Sequence, residues 1–300
     1  MNDLQQLAPG VFAYIQADGS WFINNTGLIH ADDAVVCIDT CATEDRTRRF
    51  LQAVLDRTER PVSALVNTHH HPDHTNGNGL LGASTIIAHT VCRQELARIT
   101  GPPPAGVFDP VQWGRIEPQL PNVCFDSRLE LHTPKHRIEL LHFGTPAHTT
   151  NDIVAWLPEQ RVLFAGDLAF NRGTPFALSG SISGWLDVLD ELEALRPDIV
   201  VPGHGPVGGR EILCHTADYL AFVRDIAPAA HARQLTALQA AHEIELGPYC
   251  TLTDSERIVG NLERAFAELR GLQRGSPIDH AATFAEMVTF NGGKPLRCLA

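Results

Sequence analysis

The sequence predicts a layered α/β fold, and three features of its 300 residues support that prediction. Short apolar runs with the length of buried strands, such as Val35–Ile38 and Arg161–Ala165, alternate along the chain with amphipathic helical segments. Hydrophobic residues make up 44% of the chain, which supplies enough apolar side chains for a full core. Several predicted strands end beside Gly or Pro and lead directly to His or Asp, at the position where functional residues collect in α/β sheets.

The first half of the chain is predicted to open with a β-meander, whose polar turns are Ala17–Ser20 and Ala31–Asp33. The predicted strands are Val11–Gln16, Trp21–Asn25, Gly27–His30, Ala34–Asp39, Val62–Val66 and Thr85–His89, and the predicted helices are Thr43–Asp56 and Thr90–Ile99. The segment Gly101–Phe125 begins with a Pro-rich break and shows no clear periodicity. We interpret it as a lid or binding loop, with an ordinary surface insertion as the alternative.

The second half continues the strands and then becomes helical. Strands are predicted at Arg137–Phe143, Ile153–Leu157, Arg161–Ala165 and Ile199–Val201, and helices at Ser183–Leu195, Ile212–Ile226, Leu235–Leu246 and Asp279–Phe290. A further helix is predicted to open with a capping box at Thr253–Glu256. Its apolar face comprises Ile258, Val259, Leu262, Ala265, Phe266 and Leu269. We divide the chain into a core at 1–209 and a C-terminal helical extension at 210–300 that packs on the core.

One stretch carries the strongest chemical signal, because His69, His71, Asp73 and His74 form a His-x-His-x-Asp-His motif directly after a predicted strand. In an extended chain, His69 and His71 point to the same side. Pro72 then bends the chain, so that Asp73 and His74 point elsewhere, towards a second ion. His-rich tracts also occur as weak adventitious metal sites, but this one is embedded between a strand and a Gly/Asn-rich turn.

Three further ligand-type residues follow separate apolar runs, each beside Gly or Pro: His148, Asp167 and His204. A single histidine after a strand is more often structural than ligating. Here all three would open onto one edge of a sheet, together with the His-rich motif, so we predict a centre for two metal ions. Imidazole and carboxylate ligands suit Zn²⁺, and Fe or Mn also fit because the carboxylates suit harder ions.

These residues resemble the metallo-β-lactamase superfamily through all of its metal motifs. The resemblance implies a four-layer αβ/βα sandwich with a C-terminal helical extension. It assigns His69, His71 and His148 to the first ion, Asp73, His74 and His204 to the second, Asp167 to a bridge between them, and Asp39 to a buried supporting role. A carboxylate at Asp167 is more similar to the thioesterase, lactonase and glyoxalase II branches than to many true β-lactamases.

Two segments resemble one particular branch of this superfamily. Thr174–Leu178 and the tail Asn291–Ala300 are similar to the cyclase/thioesterase-type proteins of aromatic polyketide pathways, such as that of actinorhodin. This branch implies a bulky acyl substrate, and the predicted pocket residues are Trp21, Phe22, Trp113 and Phe176.

The expected activity is hydrolysis of an acyl carbonyl of the thioester or lactone type, which in the polyketide branch is coupled to ring closure. Two ions that share a water lower its pKa towards neutrality and polarise the carbonyl, and Asp73 is the expected proton shuttle. The alternatives are a lactonase, a glyoxalase II-like enzyme and a β-lactamase-type hydrolase. The non-enzyme alternative is a metal-binding module without catalysis.

The charge and composition of the chain argue against a nucleic-acid-binding protein and against a membrane-spanning one. A net charge of −12 argues against a nucleic-acid partner, and no apolar run approaches the length of a membrane span. The start at Met1–Gln6 lacks the features of a secretion signal, and the seven cysteines are scattered, as expected of reduced thiols. We therefore expect a cytoplasmic protein whose partner is a small-molecule acyl substrate, free or bound to a carrier.

Overall fold

The computed structural model describes residues 4–16, 18–31, 34–99, 101 and 105–300. The predicted turns at Ala17–Ser20 and Ala31–Asp33, the Pro-rich start of Gly101–Phe125 and the chain start Met1–Gln6 each lie partly outside these residues. Two β-sheets pack face to face in the described part of the chain, and helices cover the outer face of each sheet.

The first sheet has seven strands among the described residues, and they lie side by side in chain order. These strands are β1 (Leu4–Ala8), β2 (Val11–Tyr14), β3 (Thr26–Ala31), β4 (Ala34–Ile38), β5 (Ala64–Val66), β6 (Thr85–His89) and β7 (Val123–Phe125). Pairing is antiparallel from β1 to β4 and parallel from β4 to β7. The parallel half matters for function, because its strands all end at the edge that carries the His-rich motif.

The second sheet has five strands within the described ranges, in the order β12-β11-β10-β9-β8. The strands are β8 (Arg128–His132), β9 (Arg137–Leu141), β10 (Val154–Leu157), β11 (Val162–Phe170) and β12 (Ile199–His204). Only the β11–β12 pair is parallel, and every residue of β11 is buried. Alternation along β11 sends Val162 and Phe164 between the sheets and Leu163 and Ala165 to the opposite face.

Helices complete the layers on both sides. They are α1 (Glu44–Leu55), α2 (Pro72–Thr75), α3 (Thr90–Leu96), α4 (Ile182–Ala194), α5 (Glu211–Ala232), α6 (Ala237–Glu243), α7 (Arg257–Leu269) and α8 (His280–Phe290), with a 3₁₀ turn at Gly247–Thr251. Helix α1 packs Phe50 and Val54 against the first sheet, whereas α4, α5 and α7 share one hydrophobic cluster with the outer face of the second. These layers confirm the predicted αβ/βα architecture. None of the described helices is both long and apolar enough to span a membrane.

The predicted boundary between 1–209 and 210–300 stays a prediction. Helix α5 begins at Glu211, and side chains of α5 and α7 join residues of β11 in a single hydrophobic cluster. The C-terminal helices therefore pack directly on the strand that carries Asp167.

The predicted strand Trp21–Asn25 is wrong, because Trp21 and Phe22 lie in a turn and pairing begins only at Thr26. Phe22 has a positive φ of 62°, which strand residues do not adopt. The Asn25 side-chain amide donates to the carbonyls of Pro202 and Gly205 at 2.9 and 2.6 Å, which ties this segment to the end of β12 instead of to a neighbouring strand.

The predicted capping box at Thr253–Glu256 is also wrong. Helix α7 begins at Arg257, and its N-cap residue Glu256 makes no side-chain capping hydrogen bond. The Glu256 carboxylate instead accepts a hydrogen bond from Trp21 Nε1 at 2.7 Å. Leu269, predicted on the apolar face of α7, is 45% exposed, because it lies at the end of the helix, where the helix leaves the core.

Candidate metal centre

The His-rich motif lies at the end of β5, as its sequence predicts. His71 is extended, with φ −65° and ψ 150°, and serves as N-cap of α2, in which Pro72 is the first residue. A proline is favourable at that position because the missing N–H has no helical partner. Helix α2 carries Asp73 and His74 away from the direction of His69 and His71, so that one short segment supplies ligands to two places.

The remaining candidate ligands come from the second sheet. His148 lies in the loop after β9, and His204 is the last residue of β12. Asp167 lies inside β11 rather than at its end, because this strand continues to Phe170. The pairing of β11 with β12 shifts register around Gly166, whose φ is +52°. Such an irregularity re-aims a side chain, and here it directs Asp167 towards the histidines.

The structure brings all seven predicted ligands together in two groups. Ligand atoms within each group lie within 4.8 Å of one another. One group comprises His69, His71, His148 and Asp167, and the other comprises Asp73, His74 and His204.

The Asp167 carboxylate lies between the two groups. Its Oδ2 is 3.3 Å from His148 Nε2 and 4.0 Å from His69 Nε2 on one side, and 3.4 Å from His204 Nε2 on the other. Its Oδ1 is 3.1 Å from His74 Nε2. One carboxylate thus reaches both groups, which is the position that the bridging role requires.

Hydrogen bonds behind three of the histidines set which ring nitrogen faces the centre. Asp39 accepts from His74 Nδ1 at 2.8 Å, and the Phe176 carbonyl accepts from His148 Nδ1 at 2.6 Å. Thr68 Oγ1 donates to Asp39 and therefore accepts from His69 Nδ1, at 3.1 Å. With Nδ1 protonated in each ring, the lone pair of Nε2 points into the centre, as it does in histidines that bind a metal.

Buried polar atoms without a hydrogen-bond partner show whether these residues are suited to bind a metal ion. His69 Nε2, His74 Nε2 and Asp167 Oδ1 are buried and make no hydrogen bond within the described residues. His74 Nε2 and Asp167 Oδ1 lie 3.1 Å apart without the alignment of a hydrogen bond. Two ligands of one tetrahedral zinc ion, each about 2.0–2.1 Å from it, lie roughly 3.3 Å apart. The spacing and the unpaired atoms therefore fit a bound ion.

Burial also lowers the pKa of His69 and of His71 well below the ordinary range. Low pKa values keep both imidazoles neutral, which is the form that binds metal. His70 is turned away from the centre, and its Nδ1 lies 2.9 Å from the side-chain amide nitrogen of Asn151.

Asp39 is buried beside the second group and accepts three hydrogen bonds. They come from Thr68 N and Thr68 Oγ1, both at 2.7 Å, and from His74 Nδ1 at 2.8 Å. Asp39 has a φ of +60° at the end of β4, a conformation that Asp tolerates better than most residues. This residue thereby connects the first sheet to a candidate ligand without facing the metal position itself.

A cavity of about 450 Å³ opens onto both groups of ligands. Of the predicted pocket residues, Trp21, Phe22 and Phe176 line it. The prediction for Trp113 needs correction, because Trp113 packs edge-to-face against Phe22 with ring centroids 5.2 Å apart and is not among the described lining residues. Trp113 therefore packs behind Phe22, which forms part of the cavity wall.

Sequence reasoning missed several lining residues that come from distant elements. These include Phe170 at the end of β11, Phe284 on α8 and Arg257 at the start of α7. Phe108, from the irregular segment 101–125, also lines the cavity. The tail holds this segment, because Leu296 N donates to the Val107 carbonyl at 2.8 Å and Asp109 N donates to the Leu296 carbonyl at 2.9 Å.

Comparison with known proteins agrees with this geometry. A linear primary-alkylsulfatase of a Pseudomonas species is 25% identical over 271 residues, which cover 74% of this chain and 50% of that protein, so the chain spans about half of this relative. A hydroxyacylglutathione hydrolase of Rhodospirillum rubrum is 30% identical over 184 residues, covering 60% of this chain and 61% of the relative. The structure of a metallo-β-lactamase from Pontibacter korlensis shares the fold, with a TM-score of 0.61 at 20% identity over 73% of this chain and 98% of that one.

The family model described as the metallo-β-lactamase superfamily matches residues 19–204, the part of the chain that contains strands β3 to β12 and all seven candidate ligands. This match covers more than half of the chain. The chain therefore belongs to the metallo-β-lactamase superfamily of metal-dependent hydrolases.

Proposed function

We propose that the protein is a dinuclear, zinc-type hydrolase that cleaves a thioester or lactone with a bulky, largely apolar acyl group. One observation carries the proposal: the cavity of about 450 Å³ that opens onto the candidate ligands is walled by aromatic side chains, including Trp21, Phe22 and Phe176. Pockets for such ligands are mostly apolar, with a few polar groups that fix orientation. A small polar substrate would leave these walls without contacts.

The relatives support an acyl substrate in part. The Rhodospirillum rubrum relative is named for a hydroxyacylglutathione substrate. The lining of this cavity is apolar, however, and Arg257 is the single Arg or Lys among its described residues, which disfavours a substrate with several carboxylates such as glutathione. The Pseudomonas relative is named for linear alkyl sulfates, so an alkyl sulfate belongs in any substrate panel.

The chain's own residues have separable tasks. When bound, the two ions supply Lewis acidity and an activated water. His69, His71 and His148 would hold the first ion, Asp73, His74 and His204 the second, and Asp167 would bridge them. The aromatic walls exclude bulk water from the acyl group, which strengthens electrostatic interactions at the carbonyl.

Asp73 is the residue that we assign to proton exchange. Its carboxylate lines the cavity, and Oδ2 lies 3.2 Å from His204 Nε2 and 3.6 Å from His74 Nε2. It is thus close enough to the candidate ligands to exchange a proton at Oδ2 with a water beside them.

The finer form of the proposal is a polyketide-type cyclase/thioesterase whose substrate is free or bound to a carrier. Both segments that resemble this branch contribute to the cavity. Phe176, from Thr174–Leu178, lines it directly, and Leu296, from the tail, holds the segment that carries Phe108.

The test is a panel of short aliphatic thioesters, bulky aryl thioesters, aryl lactones and dodecyl sulfate, assayed with zinc-loaded protein and compared by kcat/KM. We expect the highest values for bulky acyl substrates and loss of activity after chelation. Asp167→Asn should lower kcat/KM by orders of magnitude with the fold intact, because an amide offers one neutral oxygen where a bridge needs two charged ones. A preference for dodecyl sulfate, or for small polar thioesters, would contradict the proposal.

A further inference from the structure

A buried arginine lies in the cavity beside the candidate metal ligands. Arg257, the first residue of α7, is 2% exposed and is the single Arg or Lys among the described lining residues. Its guanidinium carbon is 4.0 Å from the centroid of the Trp21 ring and 5.5 Å from that of Phe170. Phe170 stacks in turn on His204, with ring centroids 5.3 Å apart. Arg257 is thus separated from the metal centre by one aromatic ring.

Among the described residues, Arg257 makes one hydrogen bond, which leaves several of its five N–H donors without an acceptor. Nη1 donates to the Thr174 carbonyl at 2.8 Å, and Nη2 lies 2.9 Å from Asp254 Oδ2, an ion pair without the alignment of a hydrogen bond. Nε is buried and has no hydrogen-bond partner in the part of the chain that the structure describes. Protein interiors rarely leave a charged donor unpaired, because its desolvation is then uncompensated.

A second arginine on the same helix shows what a purely structural role looks like. Arg264, about two turns after Arg257, is 1% exposed. Its Nε and Nη2 donate to the Leu178 carbonyl at 3.2 and 2.6 Å, and its Nη1 donates to the Ser276 carbonyl at 2.9 Å. Arg264 is not among the described lining residues. Holding chain segments together thus accounts for Arg264, whereas Arg257 also lines the cavity and makes a single hydrogen bond to the described residues.

The surroundings of Arg257 indicate the chemistry of a ligand group that its guanidinium could bind. Because Asp254 already pairs with the guanidinium, the two side chains together carry no net charge, and Asp254 would repel a second carboxylate. A neutral oxygen acceptor, such as a ketone or hydroxyl group, meets no such repulsion. The rings of Trp21 and Phe170 beside the guanidinium require the rest of the ligand to be apolar.

We propose that Arg257 determines specificity by donating a hydrogen bond from its guanidinium to a ketone or hydroxyl oxygen on the acyl group, several bonds beyond the carbonyl that is cleaved. The position of the cleaved carbonyl rests on the proposed hydrolase function. The hydrogen bond itself requires no turnover, so it can be tested separately.

The test uses two N-acetylcysteamine thioesters, of 6-phenylhexanoic acid and of 6-oxo-6-phenylhexanoic acid, which differ by one ketone oxygen far from the thioester. The zinc-loaded wild type should prefer the ketone by about tenfold or more in kcat/KM, because hydrogen bonds to charged donors are the strong ones. In Arg257→Met the ratio should fall to near one. Arg264→Met, the matched control, should keep the wild-type ratio.

A binding measurement separates this proposal from the proposed function. The amides of the same two acids are titrated into metal-free protein by calorimetry, and their dissociation constants should differ by the same factor in the wild type and by little in Arg257→Met. If neither thioester is hydrolysed but the amides keep the ratio, the hydrolase proposal fails and the role of Arg257 stands. Ratios near one in the wild type, for thioesters and amides alike, would overturn the role of Arg257.

Two further measurements address the case in which Arg257→Met does not fold and the case in which Arg257 binds a carboxylate. Arg257→Lys retains the charge without the planar guanidinium and its fixed N–H donors, so it should lower the ratio even if Arg257→Met fails to fold. A third thioester, of adipic acid, presents a carboxylate at the same distance. If the wild type prefers it to the ketone, and Arg257→Met loses that preference, the assignment of a neutral oxygen acceptor is wrong.

Discussion

Replacing Asp39 by Asn would test how the protein orients one candidate ligand. In the wild type, Asp39 Oδ2 accepts the proton of His74 Nδ1 at 2.8 Å, which leaves Nε2 free for the second ion. Asp39 also accepts from Thr68 N and Oγ1, both at 2.7 Å. An Asn side chain keeps the shape but supplies only one acceptor oxygen. If that oxygen faces Thr68, the amide nitrogen faces His74 and forces its proton onto Nε2.

Asp39→Asn is expected to lower the affinity of the protein mainly for one of the two ions. Outer-shell partners of this kind are worth about 10–100-fold in metal affinity, which corresponds to about 1.4–2.7 kcal/mol. The second ion should bear this cost, because His74 belongs to the second group of ligands. The first group is affected only through Thr68, whose hydroxyl contacts His69 Nδ1 at 3.1 Å.

Zinc titration against a chelator of known affinity measures both constants, and circular dichroism checks that the variant folds. Asp152→Asn is the matched control: Asp152 is also a buried carboxylate, but its oxygens accept from Thr149 N and Oγ1, both at 2.7 Å. The control should keep the wild-type affinity for the second ion. A folded Asp39→Asn variant that binds the second ion as tightly as the wild type would show that Asp39 does not orient His74 for metal binding.

Two other substitutions follow from the same structure. A Cβ at Gly203 would lie 1.8 Å from Asp167 Oδ1, so Gly203→Ala should displace the bridging carboxylate and reduce the metal content measured by elemental analysis, whereas Gly101→Ala, with nothing within 4 Å, should not. Equal metal contents in the two variants would contradict this explanation. Trp21→Ala should lower kcat/KM for bulky aryl thioesters by about tenfold more than for acetyl thioesters, because only the bulky group touches this wall. Trp113 lies behind Phe22, so Trp113→Ala should change the ratio of kcat/KM between bulky and small thioesters less than Trp21→Ala does. An equal change of this ratio in the two variants would count against the cavity as the acyl site.

The positions of the candidate ligands were predictable because each one is signalled locally. His69, His148 and His204 each follow an apolar run. The strands before His69 and His204 have parallel neighbours, which deliver their ends to one edge of a sheet, whereas His148 follows β9, whose neighbours are antiparallel. The irregularity inside β11 was not predictable, because Asp167 lies within a continuous strand whose register shifts only on pairing with β12.

The cavity was only partly predictable, for a physical reason. Phe170, Arg257 and Phe284 come from three elements, and no local pattern indicates that they face one space. Arg257 carried a weak signal, because it directly precedes the buried Ile258 and Val259 at the start of an amphipathic helix. Trp113 shows the opposite case, in which an aromatic residue in an irregular segment packs behind the wall instead of forming it.

Metal stoichiometry measures whether the seven side chains form a dinuclear centre. Wild-type protein is loaded with zinc, freed of excess metal by gel filtration, and measured by elemental analysis against protein concentration. The two groups of ligands, bridged by Asp167, predict two ions per chain. A reproducible value of one ion or none, in folded protein with all seven ligands intact, would rule out a dinuclear centre.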